Sequence, residues 1–229
     1  MDGTLSREDF RSSCCLLANL WRSSCPNIPQ WRWHESVSCS FTGEGYLVLE
    51  DWPIEAPFQV ERTQPSAYDV SCQGAVDEDE DIATFCCAEY EVHFYTYHII
   101  YNDMYKVPKL LLKGRYSDGQ PIELKDILQL LPAGLSNDIA KWTFLTYEEH
   151  PYMHMPWLAL HPCGTSELMK MVYCGSLIGC QDGYDSSTPV TQFYILSWLS
   201  FVSQIIALKL PREFSQFFEP IKKTCAHKI

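Results

Sequence analysis

The chain has 229 residues, 46% of them apolar and 14% aromatic, and a formal net charge of −12. That length suits one domain with a sizeable core, and the apolar share excludes a disordered chain. The acid excess excludes nucleic-acid binding, which needs a basic face, and argues against peripheral binding to anionic membranes, which leaves protein or small-molecule partners.

Residues 5–21 place Leu5, Phe10, Leu17, Leu20 and Trp21 near one face, so an amphipathic helix is expected, with Ser6 and Asp9 resembling a capping box. The stretch "CPNIP" (25–29) ends it, and "QWRWHESVSCSFTGEGYLVLED" reads as two strands around a turn at 42–45. From about 52 to 84 prolines and the run Asp77-Glu78-Asp79-Glu80-Asp81 read as a mobile acidic insertion, with a solvated loop preferred to a docking site.

Residues 85–102 alternate Tyr90, Val92 and Phe94 against Glu89, Glu91 and His93, the period of a half-buried strand. "KVPKLLLKGRY" (106–116) is its expected antiparallel neighbour, "SDGQ" (117–120) a turn, and 121–131 a strand end feeding a short helix. A short strand is expected within 141–149, and a helix from about Thr165 to Cys174 with Gly175 as its C-terminal cap. Residues 175–189 read as a loop. Residues 190–208 are apolar and nearly long enough to span a membrane. Ser197, Ser200 and Gln204, with Thr191 and Ser203 close by, place a polar stripe on one helix face, so a buried helix is expected instead. Strands followed by helices imply an α+β fold, an antiparallel meander with flanking helices. One domain is expected over 1–211, with a weakly structured tail at 212–229.

Eleven cysteines could suggest a secreted disulfide framework. The odd count, the irregular spacing and a polar start "MDGTLSREDF", unlike a secretory leader, point to free thiols in a reducing cytosol. Cys163 stands apart. His161 and Pro162 precede it, Gly164 and Thr165 follow it, and the expected helix aims its N-terminal N–H groups at the loop. Such a setting suits a nucleophile that passes through a thiolate and an oxyanion. The plain alternative is a small core hydrophobe.

Three other chemistries compete. His150, His154, His161 and Cys163 could ligate zinc, but Pro151, Pro156 and Pro162 interrupt the stretch and the spacing fits no common site. A zinc deaminase needs a second cysteine where Ser166 stands. A cysteine protease would need a base such as His93, His98 or His150, and no local signature supports one. No cofactor motif appears.

The combination of "EEHP", "PW", "LHPCGTSELMK" and "ILSWLSFVSQIIALKLP", with "YHIIYNDMYKVPKLLLKGRYSDGQPIELKDI", resembles the autophagy-related protein ten family over roughly 85–211. The resemblance implies a ubiquitin-conjugating core. It implies that the activating enzyme, autophagy-related protein seven, passes the ubiquitin-like autophagy-related protein twelve to Cys163 as a thioester. A lysine of autophagy-related protein five then receives it, with no membrane span and no nucleic acid involved. The His-Pro-Asn of ordinary conjugating enzymes is missing from the chain. Asn102, Tyr105 and His161 are candidates to support the oxyanion in its place; the alternative for each is an ordinary turn or strand residue. A lipid-transferring sister enzyme, a non-catalytic docking module and a small zinc-binding protein remain as other readings.

Overall fold

In a computed structural model, which describes residues 2–36, 44–57, 90–129, 145–177, 190–206 and 208–217, helix α1 (Arg7–Ser24) starts where its capping residue directs. The Ser6 hydroxyl accepts the Asp9 N–H at 3.0 Å and donates to the Asp9 carboxylate at 2.6 Å. Phe10, Cys14, Leu17, Ala18 and Trp21 then recur at helical spacing and are buried.

Among the described residues one antiparallel sheet runs through β1 (Arg32–Glu35), β2 (Gly45–Pro57), β3 (Tyr90–Asn102), β4 (Val107–Arg115), β5 (Leu145–Glu149) and β6 (Pro156–Leu160), in the order β1-β2-β3-β4-β6-β5. Helices α2 (Leu124–Gln129), α3 (Thr165–Leu177) and α4 (Tyr194–Val202) complete an α+β architecture. The expected meander is β1 to β4, and the β5–β6 hairpin extends it at the β4 edge. One face of the sheet packs on α1 and α4 around Trp21, Trp31, Tyr97, Tyr194, Trp198 and Phe214. The other face carries a smaller cluster of Tyr46, Val48, Ile100, Leu111, Trp157 and Ala159, with Tyr152 packed on it. β4 is buried on both faces, with Leu110 and Leu112 on one side and Leu111 on the other, which explains its unbroken apolar run.

Several expectations need correction. Residues 52–57 are not the start of an insertion: β2 continues to Pro57, and Trp52, Ile54 and Ala56 are buried. The pairing shifts between Leu49 and Trp52, where Asp51 takes φ +52°. This bulge switches the inward phase from Leu47 and Leu49 to Trp52 and Ile54, so a strict period of two read from Leu49 meets Asp51, Pro53 and Glu55 and ends too early. The rest of the acidic segment, 58–84, lies outside the described residues, as does the turn at 42–43.

The facing of β3 is the reverse of that expected. Tyr90 and Val92 are exposed, and His93, Tyr95, Tyr97 and Ile99 turn to the buried side. "FYTYHIIY" is apolar in both phases, so packing against α1 and α4 decides between them. Helix α3 runs through Gly175 to Leu177, so this glycine is not its cap. The apolar segment at 190–208 is shorter as a helix: a 3-10 turn, Val190–Phe193, leads into the nine residues of α4. Ser197 and Ser203 are buried, Ser200 is half-buried and Gln204 is exposed, so the polar stripe reaches solvent only toward its C-terminal end. No described helix is long and apolar enough to cross a membrane. The tail does not begin at 212, because the 3-10 turn Arg212–Phe217 seats Phe214 in the core at 5.0 Å from the Trp21 ring.

Candidate active site

β6 ends at Leu160, paired with Leu110 near the start of β4. The chain therefore leaves the sheet near the β3–β4 turn, residues 103–106. Pro162 is buried and anchors the loop, and Cys163 and Gly164 are exposed. The Thr165 N–H donates to Pro162 O at 3.2 Å and the Leu168 N–H to Gly164 O at 2.9 Å, which winds the loop directly into α3. Gly164 has φ +78°, and a Cβ there would meet nothing within 4 Å. The glycine is needed for backbone conformation and leaves the approach to the sulfur open.

The Cys163 N–H donates to His161 Nδ1 at 3.1 Å. An accepting Nδ1 carries no proton, so the neutral ring holds its proton on Nε2. The ring meets Tyr105 edge-on, with centroids 5.7 Å apart. The Tyr105 N–H donates to Asn102 Oδ1 at 3.0 Å, which caps the turn and leaves the Nδ2–H groups as that carboxamide's donors. Contacts thus link the four residues singled out in the sequence, Cys163, His161, Tyr105 and Asn102. Met104, beside them on the turn, is 85% exposed.

Of the cysteines whose side chains are described, Cys14 and Cys25 are buried, Cys15 is half-buried, and Cys163 is exposed. Burial pushes the Cys14 and Cys25 thiols up, away from the reactive thiolate form. The four supposed zinc ligands do not converge. His150 Nε2 lies 2.8 Å from His98 Nδ1 in a buried pair, while exposed His154 meets Glu149 at 2.9 Å. Among the described residues no three His, Cys, Asp or Glu side chains come together. His93 meets the Tyr116 ring edge-on, with centroids 4.9 Å apart, and the imidazole bonded to the Cys163 loop is His161.

Sequence reasoning missed residues 2–5. They run between α3 and the 103–106 turn, and a lone Gly3 in a polar stretch gives no signal of that.

Residues 9–213 match the family described as autophagocytosis associated protein, active-site domain. The chain is similar to the ubiquitin-like-conjugating enzyme ATG10 of Arabidopsis thaliana, with 34% identity over 221 residues, covering 93% of this chain and 95% of that protein. Similarity to the ATG10 of Homo sapiens is 29% over 195 residues, covering 81% and 82%. Autophagy-related protein 3 of Schizosaccharomyces pombe is 26% identical over 134 residues, 57% of this chain and 44% of that protein.

Proposed function

The chain belongs to the autophagocytosis associated family marked by that active-site domain and is a ubiquitin-like-conjugating enzyme of autophagy, and we propose that it carries autophagy-related protein twelve as a thioester on Cys163 and transfers it to a lysine of autophagy-related protein five. The observation that carries this reading is the open Cys163 thiol at the start of α3, where the other described cysteines are buried or half-buried. A reducing cytoplasm keeps such a thiol free.

The Cys163 thiolate attacks the thioester carbonyl that links the tag to a cysteine of the activating enzyme, autophagy-related protein seven. A new C–S bond forms, the old one breaks, and the activating enzyme leaves as a thiolate. A neutral lysine Nζ then attacks the carbonyl on Cys163. The C–N bond forms, the C–S bond breaks, Cys163 leaves as thiolate, and the nitrogen's extra proton passes to solvent. In each step negative charge builds on the carbonyl oxygen, and fixed donors beside it lower the barrier. Asn102 Nδ2, the Tyr105 hydroxyl and His161 Nε2–H are the donors we assign to that oxygen. They take the place of the asparagine that ordinary conjugating enzymes carry before their cysteine.

A lipid-transferring reading is weaker, since the match to autophagy-related protein 3 covers only 57% of the chain. A docking module has no use for an open thiol at this turn.

The test is a charging reaction with the activating enzyme, the tag and ATP, resolved on gels with and without reductant. A band one tag heavier, removed by reductant and absent or replaced by a reductant-resistant oxyester in Cys163→Ser, is the expected result. A band indifferent to Cys163, or none, overturns the reading.

A further inference from the structure

Residues 2–5 form a strap that touches both walls of the candidate site through backbone. Gly3, at φ +86°, lies against the first turns of α3: a Cβ on it would fall 1.8 Å from Ser166 O and 2.7 Å from Ser166 C. Ser166 is three residues beyond Cys163, and α3 continues directly from its loop. The strap is tied in place at this end, where the Tyr194 hydroxyl donates to Gly3 O at 2.6 Å. Two residues on, the Leu5 N–H donates to Lys106 O at 2.8 Å, and the Tyr101 hydroxyl donates to Leu5 O at 2.7 Å. Arg7 then grips Asp103 at 2.6 Å. The second anchor is therefore the turn that carries Asn102 and Tyr105. On the other side of the cysteine, His161 already joins that turn to the Cys163 loop. The strap closes the ring.

We propose that Gly3 is a positioning residue: through the 2–5 strap it fixes the distance between the Cys163 helix and the Asn102–Tyr105 turn, and so the rate at which a tag leaves Cys163. This rests on the conjugating reading above. The physical reason is that contact between backbones leaves no soft side chain to absorb a change. Any side chain at position 3 must push the strap away from Ser166, and it also meets a φ that L residues avoid. A displacement near 1 Å at a transfer site lowers rates by up to about 100-fold.

The experiment loads the full chain with the tag, quenches the activating enzyme, and follows single-turnover discharge to free L-lysine. Wild type is compared with Gly3→Ala and with Tyr101→Phe, which removes one strap bond without adding bulk. The amplitude reports how much protein is folded and charged, and the rate constant reports geometry. The expected result is a rate constant lowered about tenfold or more in Gly3→Ala and about threefold in Tyr101→Phe. Should Gly3→Ala not fold, Tyr101→Phe decides alone. Rate constants within about twofold of wild type, with only the amplitude lowered, overturn the strap and leave the conjugating reading standing. A wild-type chain that never charges overturns that reading, and the strap's role falls with it.

Discussion

His161 holds the Cys163 backbone through Nδ1, a bond of 3.1 Å that a protonated ring could not make. Its role is therefore tied to the neutral tautomer with Nε2–H, and that N–H is the donor it can offer a reacting carbonyl. Replacing His161 with alanine removes both functions and leaves the buried Pro162 anchor untouched. We expect discharge of the Cys163 thioester to slow by about three- to tenfold, the equivalent of one hydrogen bond of about 0.5–1.5 kcal/mol, with little change in melting temperature. Asparagine at 161 can place an acceptor near the Nδ1 position and should restore part of the rate. Single-turnover discharge to lysine measures both variants. Equal rates for alanine and wild type would remove His161 from the reaction.

Elements in this chain are held by contacts that cross between them. Helix α4 has no side-chain cap of its own at Phe193; instead Ser13 on α1 accepts the Ile195 N–H at 2.8 Å and donates to Gln192 O at 2.7 Å. The connection 150–155 lies over the outer face of the sheet in a similar way. Tyr152 stacks on Tyr46 with centroids 5.0 Å apart, and His150 bonds His98 of β3. His150 Nδ1 accepts the Tyr152 and Met153 N–H groups at 3.2 and 3.3 Å, so its Nε2–H donates to His98 Nδ1 and both rings are neutral. Burial, then the facing His150, His34 and Lys113, push His98 down to about 3. Burial, then Lys113 and His154, push His150 down to about 4. In the unfolded chain both titrate at about 6.5. Below that pH the unfolded chain gains protons that the folded one refuses, so stability is present at neutral pH and is lost as pH falls from about 6.5 toward 4. The slope approaches about 1.4 kcal/mol per pH unit for each histidine. Urea unfolding at pH 7, 6, 5 and 4.5 should show it. His98→Phe should be less stable at pH 7, because the His150 N–H loses its acceptor, yet lose less on acidification. An unchanged acid slope in that variant would mean that other groups carry it.

At the scale of the whole molecule both described ends of the chain close on the same core. The 2–5 strap meets α3 and Tyr194, and Phe214 near the other end is fully buried against Trp21. Phe214→Ala should cost about 3–5 kcal/mol, read as a lowered urea midpoint, whereas a loose tail would leave the midpoint unchanged. Local chemistry made much of this architecture legible. The Ser6–Asp9 cap, the β3–β4 pair, the expected turn at 117–120, where the Gly119 N–H donates to Tyr116 O at 3.0 Å, and the Cys163 loop all rest on neighbours within a few residues. Asn102 and Tyr105 were also within reach, since a polar turn between two long strands has to lie at a sheet end. What stayed hidden depends on partners far along the chain. The phase of β3 had two apolar answers, and the helices on one face of the sheet chose between them. The bulge at Asp51 hid the end of β2 because it changes which residues point inward. His150, one of four side chains weighed as zinc ligands, bonds His98, 52 residues away. By itself, then, the sequence determined the Pro-Cys-Gly loop that leads into α3, the order of the elements and the family, because periodicity, caps and turn residues act over a few positions. Only the tertiary structure decided which faces are buried, that Phe214 joins the core and what braces the Cys163 loop, because burial and backbone contact are set by residues brought together across the whole chain.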